Sequence, residues 1–180
     1  MRGGNCLPAY ICTMAKKAYL LLGSNMGNRQ GHLAMAVNKI HAIAGKVTAV
    51  SQVYETEPWG LSQQEAFLNI AVEIDTNLPA QELLATLLGI ETQLGRTREG
   101  EKFGPRVIDI DIILLEDEVI NSQTLTIPHP AMAQRMFTLA PLAELAGDAV
   151  HPILHKTIKE LLAHCPDELK VYTVGPLEWQ

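Results

Sequence analysis

Asp109 and Asp111 stand two residues apart in the otherwise apolar run FGPRVIDIDIILL, residues 103–115. If this run is a β-strand, both carboxylates lie on one face, about 6.5–7 Å apart along it. Two carboxylates so placed can bind Mg²⁺, which completes its shell with water and phosphate oxygens. Two such ions about 4 Å apart can hold both sides of a displacement at phosphorus. The alternative is a solvated strand face, which the flanking Val107 and Ile113 disfavour.

Four cationic side chains crowd the eleven residues that lead up to this strand, and only Glu99 and Glu101 oppose them. They are Arg96, Arg98, Lys102 and Arg106. Arginine suits phosphate because its planar guanidinium makes paired, charge-assisted hydrogen bonds. Taken alone, the cluster is equally compatible with solvated loop charge. Beside two potential metal ligands, it suggests a polyphosphate ligand.

The spacing of apolar side chains predicts the elements that must position these residues. Strands are expected over 18–22, 47–54, 67–74 and 107–115. One helix should run from an Asn28 cap to Gly45, and another from Pro79 to Gly95. This β-α-β-β-α-β order predicts an α+β fold of the ferredoxin-like split βαβ type, an antiparallel sheet with helices packed on one face. C-terminal additions follow: a hairpin over 116–125, a helix over 141–146, and a last helix that starts at Thr157, where Glu160 completes a capping box.

Composition and charge limit the classes of function. The 180 residues fit one domain, and 47% hydrophobic against 19% charged residues indicates a globular chain. A net charge of −6 argues against nucleic-acid and anionic-membrane partners. No apolar run approaches the roughly 18 residues of a membrane span. Residues 1–13 are expected to be a flexible extension before a single domain over 14–180, and three scattered cysteines favour a cytoplasmic location.

Several short motifs occur together in a distinctive order. The longest is KFGPRVIDIDII, residues 102–113. The others are GSN (23–25), YET (54–56), FLN (67–69), GR (95–96) and IPH (127–129). From residue 18 to about 145 the chain resembles the 6-hydroxymethyl-7,8-dihydropterin pyrophosphokinase family. The resemblance implies transfer of a pyrophosphoryl group from ATP to the pterin hydroxymethyl group in folate biosynthesis, with release of AMP. It also implies two Mg²⁺ ions and small-molecule partners (ATP and dihydropterin). A monomeric chain is expected.

The resemblance also implies a role for individual residues. The catalytic set would be Arg96, Arg106, Asp109 and Asp111, of which the two aspartates would bind metal. The ATP-binding set would be Glu91, Arg98, Arg106, Ile112, His129 and Arg135. The pterin-binding set would be Thr56, Trp59, Phe67, Asn69, Phe103 and Phe137. No dedicated general base is visible, and Asp111 is a candidate acceptor for the hydroxyl proton.

The chain departs from the family's pattern at three positions. Glu99, Phe103 and Thr124 stand where some members have Lys, Trp and Arg. Altered loop closure and ATP affinity are the expected consequences. Two rival interpretations stay open at this point. A nucleotidyltransferase shares the Gly-Ser and Asp-x-Asp elements but brings them closer together in the chain, and a non-catalytic ferredoxin-like sensor would share the fold.

Overall fold

The computed structural model describes residues 15–57, 64–96 and 104–179. The expected extension over 1–13 lies outside these ranges, as do Trp59, Arg98, Glu99 and Phe103. The described elements, in chain order, are β1 (Lys16–Ser24), α1 (Arg29–Ile43), β2 (Lys46–Val50), β3 (Val53–Thr56), β4 (Phe67–Thr76), α2 (Ala80–Gln93), β5 (Asp109–Leu115), β6 (Ile120–Asn121), β7 (Thr126–Ile127), α3 (Met136–Ala146), α4 (Ile158–Ala163) and β8 (Val171–Gly175).

The main sheet has the strand order β5-β1-β4-β3-β8, with β2 also paired to β4, and its pairs are antiparallel. The first seven elements reproduce the predicted split βαβ order, so the ferredoxin-like α+β prediction is confirmed. The single strand predicted over 47–54 is in fact two strands, β2 and β3. Between them, Ser51 exchanges hydrogen bonds with Ala71 of β4 through its N–H (3.0 Å) and its hydroxyl (2.9 Å).

Helices cover both faces of the sheet, whereas the sequence predicted one covered face. On the first face, α1 and α2 contribute Leu33, Ile40 and Leu87 to a core with Leu20 and Leu22. On the second face, α3 and α4 pack their own apolar side chains against β1 and β5. That second core includes Leu21, Ile113, Leu139, Leu142 and Ile158. The additions therefore bury a sheet face that would otherwise expose apolar residues to water.

A bulge changes the alternation at the end of β5. Tyr19 pairs with Leu114 but Leu20 pairs with Ile112, so one residue of β5 has no counterpart on β1. As a result Leu114 joins the core under α3, and Leu115 joins the core under α1. Simple alternation along 107–115 predicts that Leu114 shares a face with Ile112, and the bulge makes that expectation wrong. The extra residue reverses the pattern after the two aspartates, not between them.

Two predicted helix caps are confirmed. Asn28 accepts a hydrogen bond from the Gly31 N–H at 3.1 Å, and Thr157 and Glu160 form the capping box of α4. The predicted start of α3 at residue 141 was wrong, because Asp167 Oδ2 accepts from the Met136 N–H at 2.9 Å and the helix begins there. In the described part of the chain, no helix is long and apolar enough to cross a bilayer.

Candidate active site

Gly23 at the end of β1 separates the two halves of the site. It pairs with Asp109 of β5 on one side and with Asn69 of β4 on the other. Neighbouring strands lie about 4.8 Å apart, so Asp109 and Asn69 are about two strand spacings apart on the same side of the sheet. A Cβ added at Gly23 would come within 2.9 Å of Asn69 Oδ1. A side chain here would therefore disturb Asn69, which gives this glycine a steric role in the site.

A cleft opens over this row, between the sheet and the start of α3. Its wall on the β5 side carries charged groups. Its wall on the β3 and β4 side, called the neutral wall below, carries mainly neutral polar and aromatic groups, together with Glu57 directly after β3. The lining residues are Leu21, Gly23, Thr56, Glu57, Phe67, Asn69, Arg106, Asp109, Asp111, Arg135 and Phe137.

Asp109 is held by two arginines. Its Oδ1 accepts from Arg96 and its Oδ2 accepts from Arg106, so each carboxylate oxygen has a cationic partner. The Asp109 side chain is only 19% exposed, and Arg96 17%. Burial lowers the pKa of Arg96, but the carboxylates of Asp109 and Glu91 outweigh it and raise that pKa overall. Two of the four cations singled out in the loop sequence, Arg96 and Arg106, therefore contact one of the two aspartates, whereas Arg98 and Lys102 lie outside the described residues.

Glu91 supports this wall from behind. Its side chain is almost completely buried, and Oε1 accepts both from Arg96 and from the Ile110 N–H, the latter at 2.8 Å. A buried carboxylate needs such partners, because the loss of its hydration is otherwise uncompensated. Glu91 thus links the end of α2 to the start of β5, and it is not among the residues that line the cleft.

Asp111 lies two pairs further along the β1–β5 ladder, opposite Leu21. Burial, together with the negative charges of Asp109 and Glu91, raises its pKa to about 7, while Arg106 and Arg135 oppose the rise. Two carboxylates from one strand are a donor set that fits Mg²⁺ when phosphate oxygens complete the shell. Among the residues that the structure describes, no third His, Cys, Asp or Glu joins them to form a protein-only metal cage.

The opposite wall combines an amide, a hydroxyl and aromatic rings. Asn69 is 4% exposed, and its Nδ2 donates to Thr56 Oγ1 at 2.8 Å. Phe67 precedes it on β4, and Phe137 enters from the first turn of α3. Flat rings beside a small number of fixed polar groups are typical of sites that bind a heterocycle.

Arg135 and His129 approach the charged wall from the segment before α3. The Arg135 guanidinium lies 5.6 Å from the Phe137 ring centroid, a cation–π distance. Burial lowers its pKa, against the attraction of Asp111. Burial, followed by the charge of Arg135, also lowers the pKa of His129. His129 Nδ1 accepts from the Ala131 N–H at 3.3 Å, which leaves the ring proton of a neutral imidazole on Nε2 as a donor.

The cleft brings together eight of the residues predicted from sequence: Thr56, Phe67, Asn69, Arg106, Asp109, Asp111, Arg135 and Phe137. Ile112 lies elsewhere, since its side chain belongs to the core under α1 and α2. Thr124 is exposed, and its hydroxyl contacts Gln81 Oε1 at 3.3 Å. Sequence reasoning assigned no individual role to Gly23 and omitted Leu21 and Glu57. The place of Gly23 at the end of a strand was a usable signal, whereas nothing distinguished Glu57.

Comparison with known proteins places this geometry in a family. The family model described as 7,8-dihydro-6-hydroxymethylpterin-pyrophosphokinase (HPPK) matches residues 19–147. A 2-amino-4-hydroxy-6-hydroxymethyldihydropteridine pyrophosphokinase of Bacillus subtilis is 50% identical over 129 residues, covering 71% of this chain and 77% of that protein. A protein of the same name from Methylorubrum extorquens is 47% identical over 148 residues, covering 82% and 92%.

Solved structures agree on the fold. A crystal structure of Plasmodium falciparum HPPK-DHPS with pterin and p-hydroxybenzoate matches with a TM-score of 0.69 at 17% identity, over 83% of this chain and 43% of that chain. The chain thus spans less than half of that solved protein, and at this identity the likeness concerns the fold. The family model and the two relatives each match most of this chain, and the matches span most of each relative's own length. The chain therefore belongs to the 7,8-dihydro-6-hydroxymethylpterin-pyrophosphokinase family.

Proposed function

We propose that this protein transfers the terminal pyrophosphoryl group of ATP to the hydroxymethyl group of 6-hydroxymethyl-7,8-dihydropterin, a step of folate biosynthesis. The observation that carries the proposal is the division of one cleft into two walls. Asp109, Asp111 and Arg106 form one wall, and Thr56 and Asn69 stand across Gly23 on the other. The first suits a metal-bound polyphosphate and the second a flat heterocycle.

On the charged wall, Asp109 and Asp111 would hold Mg²⁺. Metal bound there would neutralise phosphate charge and orient the phosphate oxygens. Two ions are our expectation from the resemblance to the family. Arg96, Arg106 and Arg135 would bind phosphate oxygens and stabilise charge that develops on them during transfer. His129 would donate through Nε2, while Glu91 would act through Arg96 and the strand behind it.

The chemistry required of the protein is mainly positioning. The pterin hydroxyl oxygen forms a bond to the β-phosphorus of ATP as the bond from that phosphorus to the α–β bridging oxygen breaks. AMP leaves with the electron pair, and the hydroxyl proton is released. Holding two substrates in line can contribute several kcal/mol by removing the entropy of their encounter.

On the neutral wall, Asn69 would read the hydrogen-bonding edge of the pterin beside the Thr56 hydroxyl. Phe67 and Phe137 would pack against its rings. We assign Trp59 and Phe103 to the pterin, Arg98 to ATP, and Ile112 to ATP through its main chain, on the strength of the sequence resemblance. We further propose that the protein acts as a cytoplasmic monomer, which size-exclusion chromatography with light scattering would test.

The direct test is incubation with ATP, Mg²⁺ and 6-hydroxymethyl-7,8-dihydropterin, followed by separation of the nucleotides. AMP should form only when the pterin and Mg²⁺ are both present. Asp109→Asn tests the role of the carboxylate, because it keeps the side-chain shape and removes the charge. It should lower turnover by about 100-fold or more in a folded protein. ADP as the product would mean simple phosphoryl transfer. A nucleoside monophosphate joined to the pterin would mean nucleotidyl transfer, and ligand binding without turnover would mean a sensor.

A further inference from the structure

Asn25, in the GSN motif at the end of β1, takes no part in the substrate contacts proposed above. Its side chain is nonetheless almost fully buried, at 2% exposure. A buried carboxamide has to be hydrogen-bonded, because one unpaired polar group costs about 1–3 kcal/mol. The partners of Asn25 therefore indicate what the residue does.

One set of partners belongs to the charged wall. The Asn25 N–H donates to the Arg106 carbonyl at 3.1 Å, and the Arg106 N–H donates to Asn25 Oδ1 at 2.7 Å. Ser24 adds a bond from its hydroxyl to the Val107 carbonyl at 2.6 Å. These bonds lie beyond the last β1–β5 ladder pair, that of Gly23 with Asp109. They fix the main chain from which the Arg106 guanidinium reaches the carboxylate.

The other partners belong to the neutral wall. Asn25 Nδ2 donates to Gln64 Oε1 at 3.1 Å and to the Glu65 carbonyl at 3.2 Å. Glu65 lies two residues before Phe67, whose ring lines the cleft at the start of β4. The oxygen end of one carboxamide thus serves the charged wall, and its nitrogen end serves the neutral wall.

We propose that Asn25 is a positioning residue that sets the spacing between the charged wall and the neutral wall of the cleft. This inference rests on the ligand placement proposed above. To link the two walls, one short side chain must carry a hydrogen-bond acceptor and a donor at a fixed separation, and a carboxamide supplies both. An ionised aspartate has no donor, and a methyl group has neither.

The test separates the two ends of the amide. Asn25→Asp keeps the oxygen that accepts from Arg106 but turns a charged oxygen toward the Glu65 carbonyl. The Kd of the pterin, measured by calorimetry with a non-hydrolysable ATP analogue bound, should rise about tenfold. The Kd of the analogue itself should stay within about twofold. Gln64→Ala should raise the pterin Kd by less, and adding it to Asn25→Asp should cause little further loss, because both changes break one link.

Asn28→Asp is the matched control, since it adds the same charge three residues away and keeps the oxygen that caps α1. Both Kd values should then equal those of the wild type. A wild-type pterin Kd in Asn25→Asp, additive losses in the double variant, or equal weakening of both ligands would overturn the positioning role. Wild-type protein that binds both ligands without turnover would contradict the proposed reaction alone. Wild-type protein that binds neither would contradict both.

Discussion

Asp109 and its two arginines show how single residues prepare the cleft for charged ligands. In the structure, each carboxylate oxygen of Asp109 has a guanidinium partner. Those two oxygens are also the donors that a divalent cation needs, and the same guanidinium groups suit phosphate oxygens. With metal and phosphates bound, Asp109 would hold the metal, and Arg96 and Arg106 would bind the phosphate oxygens. The arginines would thus balance the charge of Asp109 in one state and that of the substrate in the other.

This arrangement predicts opposite effects of removing Arg106. Arg106→Ala should bind Mn²⁺, a paramagnetic substitute for Mg²⁺, about threefold to tenfold more tightly in the absence of nucleotide, because a competing cation is gone. Turnover should fall by about 100-fold or more, since a group that stabilises phosphate charge is lost. Electron paramagnetic resonance of free Mn²⁺ and steady-state kinetics would measure the two effects. Lys159→Ala, which removes an exposed cation paired with Asp148, should change neither. Unchanged Mn²⁺ binding in Arg106→Ala would show that this arginine does not compete for Asp109.

At the scale of elements, α3 carries site residues that the predicted helix start excluded. Its first turn holds Phe137, with Arg135 just before it, so its entry point sets the position of both side chains over the sheet. Asp167 defines that entry point from a segment about thirty residues later in the chain, through its bond to the Met136 N–H. A carboxylate at a helix N-terminus is favoured by both the hydrogen bond and the helix dipole.

Loss of this cap should weaken both the stability of the fold and the binding of the pterin. Asp167→Ala should lower the free energy of unfolding by about 1 kcal/mol and raise the KM for the pterin several-fold, because the first turn of α3 loses its anchor. Denaturant titration and steady-state kinetics would measure both quantities. Glu168→Ala, at the exposed neighbouring position, should leave both at wild-type values. If the stability falls while the KM is unchanged, the start of α3 does not control the position of the side chains that form the neutral wall.

The turn after α3 contains a buried histidine that should make stability depend on pH. His151 is 5% exposed, and its Nδ1 accepts from the N–H groups of Ile153 and Leu154, each at 3.2 Å. Burial lowers its pKa below the usual 6.5, against the effect of its backbone hydrogen bonding. The unfolded chain therefore takes up this proton more readily than the folded protein. The stabilisation is complete above the unfolded pKa and is lost as the pH falls through the lowered folded pKa.

We accordingly expect the urea concentration at the unfolding midpoint of the wild type to decrease as the pH is lowered from 7 to 5. Asn at this position keeps a neutral acceptor for the two N–H groups without a titrating ring. His151→Asn should therefore show a smaller fall, with a difference of about 1 kcal/mol at the acidic end. Urea titrations of both proteins across this range would measure it. Parallel pH profiles for the two proteins would mean that His151 is not the titrating group, and His129→Asn would then be examined in the same way.

For the whole molecule, the sheet and both helical layers are built from elements that lie within residues 16–175. Removing residues 1–13, so that translation starts at Met14, should leave turnover within about twofold and the unfolding midpoint within about 2 °C. Kinetics and thermal unfolding of the two forms would test this. A large loss of either property would show that the segment contributes to the folded domain, against the expectation of a flexible extension.

The resemblance and its motifs identified a large part of the fold and site because they depend on local order along the chain. Apolar runs marked β1, β4 and β5, and the place of Asp109 and Asp111 on one face followed from the alternation of side chains along a strand. Residue type and spacing alone predicted the helix caps formed by Asn28 and by Thr157 with Glu160. Each of these features involves residues within a few positions of one another.

What only the tertiary structure decided depends on residues far apart in the chain. Asn25 and Arg106 meet across 81 positions, and the bulge that moves Leu114 to the other face exists only in the pairing with β1. The same holds for the start of α3, which a distant aspartate defines. Register and long-range hydrogen bonds are properties of two segments together, so neither segment's sequence carries them alone. The amino-acid sequence by itself determined which chemical groups the cleft contains, and the folded chain decided which of them face one another across it.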